Sequence, residues 1–224
     1  MPQLTLYDLS ASRSIRTAWL LEELSLPYAL IHADRSSNGL SDADFKAQTG
    51  TILGKAPVLK DGSLTIQESG AITEYLISTY DPEDKHGLLP KHPVPVKMKI
   101  LEFVHAAEAT LMLHCLPFIY AKRVAPSPFP PLEQLQPGLQ AIVRKDLDWL
   151  EAELEKKGEG WLVGDGVSAA DTMMGFSVMF IFANSLAGEA EGKWKRILEW
   201  IRKIEDREAY KRAVEKTGFV LKPQ

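Results

Sequence analysis

The chain of 224 residues is 45% hydrophobic and 25% charged, the composition of a protein with a real core rather than a disordered or fibrous polypeptide. Lys and Arg number 26 against 30 Asp and Glu, a net charge of -4, and that field repels a phosphate backbone, so nucleic acid is excluded as the main partner. The single cysteine rules out an intrachain disulfide, a C-x-x-C pair and a four-thiolate metal site, and it fits a reducing, cytoplasmic compartment.

The N-terminus has no basic stretch leading into a long apolar run, so no secretory signal is expected. Residues 4–9 and 26–33 are apolar runs of strand length, and residues 12–25 between them carry Ile15, Ala18, Trp19, Leu21 and Leu24 at helical spacing, with Arg16, Glu22 and Glu23 elsewhere, an amphipathic helix. A turn-rich stretch, 35–41, leads to a short helix at 42–48. Residues 57–60 and 64–67 then flank Asp61-Gly62, a strong hairpin signal. Residues 69–80 form the next helix, with Ser69 placed as its N-cap. The stretch 81–95, rich in proline and lacking apolar periodicity, reads as a linker.

Everything beyond reads as helix: 96–122, 132–157, 168–185, 193–204 and 207–216, with breakers at 126–131, 158–166 and 188–192. The apolar neighbourhood at 173–186 is shorter than the roughly 18 residues of a bilayer span, so it reads as a buried helix and no transmembrane segment is expected. The basic residues of 193–216 are interleaved with Glu199, Glu205, Asp206, Glu208 and Glu215 at helix-pair spacings, which reads as a solvated helix face.

Three segments can carry chemistry. In Lys55-Ala56-Pro57-Val58-Leu59 the proline is either a plain strand start or, with a cis bond, a device that turns the Ala56 amide and carbonyl toward an extended peptide-like ligand. In Gln67-Glu68-Ser69-Gly70, Ser69 is a helix cap, or the helix N-terminus and its hydroxyl take a ligand carboxylate while Glu68 takes an ammonium, as the head of an α-amino acid requires. In Ser10-Ala11-Ser12-Arg13-Ser14, Ser12 is a cap, or a hydroxyl that donates to an anionic sulfur or oxygen. Ser168-Ala169-Ala170-Asp171 has capping-box spacing and reads as structural.

These segments, with Gly54-Lys55-Ala56-Pro57-Val58-Leu59, Glu68-Ser69-Gly70-Ala71-Ile72 and Gly164-Asp165-Gly166-Val167-Ser168-Ala169-Ala170-Asp171 in order and spacing, resemble the glutathione transferase superfamily over the whole chain. The run from Ser12 to Leu24 further resembles its fungal and bacterial branch. The resemblance implies an α/β thioredoxin-like N-terminal domain over 1–82, a linker at 83–95 and an all-α C-terminal bundle over 96–224. It also implies glutathione as co-substrate: Glu68 and Ser69 at the γ-glutamyl head, the Ala56 backbone before Pro57 at the cysteinyl part, and Lys55 at the glycyl carboxylate. The thiol activator matches Ser12, with Ser14 and Tyr7 as alternatives. The electrophile pocket is expected from Ser10 with His105, Glu108, Met112, Cys115 and Phe118. His105 and Glu108 lack a third ligand at suitable spacing, so no metal is expected. The expected activity is conjugation of the glutathione thiolate to small hydrophobic electrophiles, a detoxification reaction, by a cytoplasmic homodimer. A peroxidase or isomerase using the same thiolate, and a non-catalytic binding module on the same fold, are the rival readings.

Overall fold

Leu4, Leu6, Tyr7 and Leu9 are all buried because β1 (Leu4–Leu9) runs inside a four-stranded sheet of order β2-β1-β3-β4. It lies parallel to β2 (Tyr28–Ala33) and antiparallel to β3 (Val58–Asp61). β3 turns through Gly62 and Ser63 into β4 (Leu64–Gln67), the hairpin expected from Asp61-Gly62. In the computed structural model the described residues are 4–36, 39–125, 129–188 and 192–221. The turn at 35–41 and the breakers at 126–131 and 188–192 therefore lie partly outside them.

The helices of this half are α1 (Ser14–Glu23), α2 (Ala43–Thr49) and α3 (Ser69–Tyr80). The order β-α-β-α-β-β-α is the expected thioredoxin-like one. On one face of the sheet Tyr7, Leu9 and Val58 pack with Phe45 of α2, whose first turn is capped by Asp42 accepting from the Phe45 amide at 2.7 Å. Asp61 fixes α3 to β3 by accepting from the Tyr75 and Tyr80 hydroxyls.

The chain divides into two compact units, Met1–Lys91 with Glu205–Val220, and His92–Ile204 with Leu221–Gln224. The expected linker is ordered in part by Asp81, whose carboxylate accepts from the Lys85 and His86 amides, and Leu88 is fully buried. The last helix, α9 (Glu208–Thr217), was expected with the helical part but belongs to the first unit, packed on α1.

That packing corrects two expectations. First, α1 is not amphipathic. Arg16 is 1% exposed, its guanidinium turned to Ser69 of α3, and Glu23 is buried where α9 covers the helix. Glu23 accepts from Trp19 Nε1 at 2.8 Å and from Arg207 Nε and Nη2 at 2.9 and 2.7 Å, and Tyr210 meets the Trp19 ring edge-on. Second, the basic residues of α9 are not merely a solvated face. Arg212 reaches Glu22 at 2.8 Å and Lys216 reaches the Tyr28 carbonyl at 3.0 Å. Interleaved charges fit either reading until the helix they face is known.

The second unit holds α4 (Val94–Ala106), a π-helical turn (Ala107–Met112), α5 (Leu113–Val124), α6 (Pro130–Lys157), α7 (Ala169–Ala183) and α8 (Lys195–Asp206). Val94–Val124 is helical throughout and is long and apolar enough by length and composition to cross a membrane. Ile100, Phe103, Val104, Leu111, Met112, Cys115 and Ile119 of this stretch are buried within the unit, where α4 packs on α7 and α5 on α6, and this accounts for its apolar character. Ser168 and Asp171 form the expected capping box at the start of α7. Asp171, wholly buried, accepts from the Ser168 amide and hydroxyl at 2.9 and 2.8 Å, from the Leu162 amide at 3.0 Å and from Trp200 Nε1 at 2.8 Å. Burial raises its carboxyl above the usual range while these donors pull it down. Glu151 of α6 caps α8 from outside, taking the Arg196 and Ile197 amides at 2.9 Å each.

Candidate active site in the first unit

Strand register collects the sequence motifs. Tyr7 pairs with Val58, and Val58 pairs with Gln67. The segment after β1 that leads to Ser10 and Ser12, the Ala56-Pro57 entry to β3, and Glu68-Ser69 after β4 therefore emerge at one end of the sheet. Motifs more than fifty residues apart become neighbours because antiparallel pairing returns β3 and β4 to the C-terminal end of β1.

The Ala56-Pro57 bond is cis. Ala56 is half-buried, Pro57 buried and Lys55 exposed. Gly54, before them, sits at φ +58, where a side chain is strained, and an added Cβ would meet Lys46 Cγ at 3.0 Å. Its carbonyl accepts from the Ser41 hydroxyl at 2.6 Å.

Glu68 is exposed with φ 69 and ψ 117, a conformation costly for any residue with a side chain. It stands at the N-cap position, so Ser69 is the first residue of α3 rather than its cap, a correction to the sequence reading. Ser69 is 3% exposed and its Oγ accepts from Arg16 Nη1 at 3.0 Å. A buried guanidinium, a hydroxyl and the N–H groups of a first helical turn, which have no intrahelical acceptors, make a site suited to an anion. Sequence reasoning placed Arg16 only off the apolar face of the first helix. The signal available was a lone arginine between Ile15 and Thr17, which a helix buried on every side turns inward.

The loop after β1 is held by Arg35. Its Nε donates to the Ser10 carbonyl at 2.9 Å, its amide to the Ser10 hydroxyl at 3.2 Å, and its Nη2 to the Ala11 carbonyl at 3.4 Å. Ala11 takes φ 51 in the bend. Ser12 follows, 5% exposed, its Oγ accepting from the Ser14 amide at 3.2 Å. This is a cap-like contact, although the residue that borders α1 is Arg13. The Ser12 hydroxyl donates to Ser14 Oγ at 2.9 Å, and Ser14, fully buried, hydrogen-bonds the carboxylate of Asp8.

Asp8 was not foreseen as part of the site. It is 4% exposed and lies opposite His32 in the parallel register, with His32 Nδ1 2.6 Å from its Oδ2. Burial pushes its carboxyl above the usual range, against the pull of His32 and Ser14. The spacing held a clue, since Asp8 is four residues past Leu4 and His32 four past its partner Tyr28. The pairing itself had to be known first.

Tyr7 is on the α2 face of the sheet, and its hydroxyl accepts from Lys60 Nζ at 3.1 Å. His105, Glu108, Met112, Cys115 and Phe118 lie in the second unit. His105 is exposed and Glu108 and Phe118 are half-buried. Met112 and Cys115 are each 1% exposed, with the Cys115 thiol donating to the Met112 carbonyl at 3.7 Å. These two are core residues of that unit. Ala107–Met112 forms a π turn, wider than the α-helix, whose Ala107 carbonyl accepts from the Ser177 hydroxyl at 3.0 Å. Among the described residues no group of three or more His, Cys, Asp or Glu could hold a metal.

Two family models match the chain: the glutathione S-transferase N-terminal domain over residues 2–78 and the glutathione S-transferase C-terminal domain over residues 122–203. The chain is 31% identical over 227 residues to glutathione S-transferase 3 of Schizosaccharomyces pombe, covering 95% of this chain and 87% of that one. Among solved structures it is similar to a glutathione S-transferase from Actinobacillus pleuropneumoniae, with 29% identity, a TM-score of 0.80 and coverage of 97% of this chain and 94% of that one. It shares its fold with a glutathione transferase from Phanerochaete chrysosporium solved with oxidised glutathione, at 20% identity and a TM-score of 0.77, over 97% of this chain and 96% of the other. With both domain models in chain order and a relative of this identity along nearly its whole length, the chain belongs to the glutathione S-transferase family.

Proposed function

We propose that the protein is a glutathione transferase that conjugates the glutathione thiolate to small hydrophobic electrophiles. The observation that carries this reading is the register Tyr7–Val58–Gln67, which brings the Ser12 loop, Ala56-Pro57 and Glu68-Ser69 to one end of the sheet. In this reading Glu68 takes the γ-glutamyl ammonium, and Ser69 takes its carboxylate, with Arg16 adding charge behind the Ser69 hydroxyl. The Ala56 backbone pairs with the cysteinyl part, and Lys55 approaches the glycyl carboxylate. Ser12 donates to the sulfur. Ser14 is the nearest alternative, whereas the Tyr7 hydroxyl is engaged by Lys60 on the other side of the strand.

The role of Ser12 is electrostatic. A free thiol of pKa about 8.5 is about 3% ionised at neutral pH, and lowering it by about two units, about 2.7 kcal/mol of differential stabilisation, raises the thiolate roughly twentyfold. A hydroxyl donor beside a helix N-terminus is of the right strength for this. A cytoplasmic homodimer belongs to the same reading and is tested by sedimentation of the purified protein. Calorimetric glutathione binding and conjugation of chlorodinitrobenzene, in wild type and Ser12→Ala, test the function. The expected result is binding within a few-fold in both and conjugation down roughly twentyfold in the variant. Absence of binding in wild type removes the reading, and full activity in Ser12→Ala moves the role to Ser14.

A further inference from the structure

The Ser12 hydroxyl, as it stands, gives its proton to Ser14 and not to the mouth of the site. Ser14 is in turn bonded to the buried Asp8, and Asp8 to His32, whose side chain is 37% exposed. A line of four polar groups thus runs from the loop where sulfur is expected to His32 on β2. A hydroxyl has one donor and two acceptor positions. Ser12 Oγ uses its donor on Ser14 and one acceptor position on the Ser14 amide, which leaves the second acceptor position for an incoming S–H.

From this geometry, and resting on the glutathione reading above, we infer that Asp8 and His32 receive the thiol proton through Ser14 and Ser12, and that this transfer turns Ser12 into the donor of the thiolate. The glutathione S–H bond breaks and its proton passes to Ser12 Oγ. The Ser12 proton passes to Ser14 Oγ, and the Ser14 proton to the Asp8 carboxylate, where an O–H bond forms. Thiol plus carboxylate become thiolate plus carboxylic acid, with no electrons gained or lost. Every hydrogen bond in the line has then reversed: Asp8 donates to Ser14, Ser14 to Ser12, and Ser12 to sulfur. The proton rests on the Asp8–His32 pair.

The surroundings suit a group that changes charge without leaving the core. Burial already favours the neutral form of Asp8. The other titratable groups nearby are Asp34, whose Oδ1 is 3.6 Å from His32 Nε2, and Tyr28 of β2, which feels the Asp8 charge and carries Lys216 of α9 over its ring. Asp8 and His32 are positioning residues here, since neither is placed against the substrate.

The test counts protons. The number released per glutathione bound at neutral pH is obtained from calorimetric enthalpies in buffers of different ionisation enthalpy. S-methyl glutathione, which has no thiol proton, supplies the baseline, and thiolate is read by its ultraviolet absorbance in the same samples. Wild type is expected to form thiolate with well under one proton released per thiolate. Asp8→Asn and Ser14→Ala, which remove the acceptor and the bridge, are expected to release one. A full proton per thiolate in wild type overturns the relay while leaving the glutathione reading intact. A wild type that binds no glutathione overturns both. Should Asp8→Asn fail to fold, Ser14→Ala decides, because a count equal to wild type in that variant also overturns the relay.

Discussion

Asp171→Ala should be the most damaging single substitution in the second unit. The carboxylate is wholly buried and takes hydrogen bonds from the Leu162 amide, the Ser168 amide and Trp200 Nε1, besides the Ser168 hydroxyl. Truncation orphans three buried N–H groups, each worth about 1–3 kcal/mol when left unpaired. Relief from burying a carboxyl offsets part of the sum, so the net loss is about 3–5 kcal/mol. For a chain of this length that is a fall in Tm of about 6–20 °C. Ser168→Ala removes one hydroxyl and leaves the other three donors paired, about 1 kcal/mol or about 2–4 °C. Thermal and urea unfolding followed by circular dichroism, with tryptophan emission reporting on Trp200, compare the two variants. A loss below about 1 kcal/mol in Asp171→Ala refutes the reasoning. So does a folded Ser168→Ala that has lost glutathione affinity, since the box would then not be purely structural.

Arg207→Ala should cost about 1–2 kcal/mol, less than a fully buried pair because the arginine side chain is 43% exposed while that of Glu23 is 5%; limited proteolysis should cut first near α9. Glu68→Gly should gain about 1 kcal/mol by relieving φ 69 while weakening glutathione binding, measured by unfolding and calorimetry on the same samples. For Asp8 the sign follows from its raised carboxyl. Between the unfolded carboxyl range, near about pH 4, and its folded value the native state holds more protons, so its contribution to stability falls as pH rises through that window. Asp8→Asn removes this slope, and urea midpoints across the window should converge toward or pass wild type as pH rises.

Local chemistry made much of the first unit legible. Apolar runs of strand length, Asp61-Gly62 as a turn, and the short helix begun near Asp42 are decided within a few residues, and they appear where they were expected. The same holds for Ser168 and Asp171, whose spacing alone forms the box. What spacing could not show was which side of a helix would be covered. Arg16 and Glu23 look like the polar face of α1 until Ser69 of α3 takes the Arg16 guanidinium and α9, nearly two hundred residues later, packs on the helix and pairs Arg207 with Glu23. Met112 and Cys115 are buried in their unit's core, with Met112 closing a π turn that spacing did not announce.

The sequence by itself determined the element order, the motifs and their chemistry, because strand length, turn residues and caps depend on near neighbours. Tertiary structure alone decided what those motifs face. Parallel pairing set Asp8 against His32, antiparallel pairing carried Ala56-Pro57 and Glu68-Ser69 to the Ser12 end of the sheet, and α3 brought the Ser69 hydroxyl to the buried Arg16. Register and packing are long-range choices, set by which apolar faces close together, and no window of a few residues contains them.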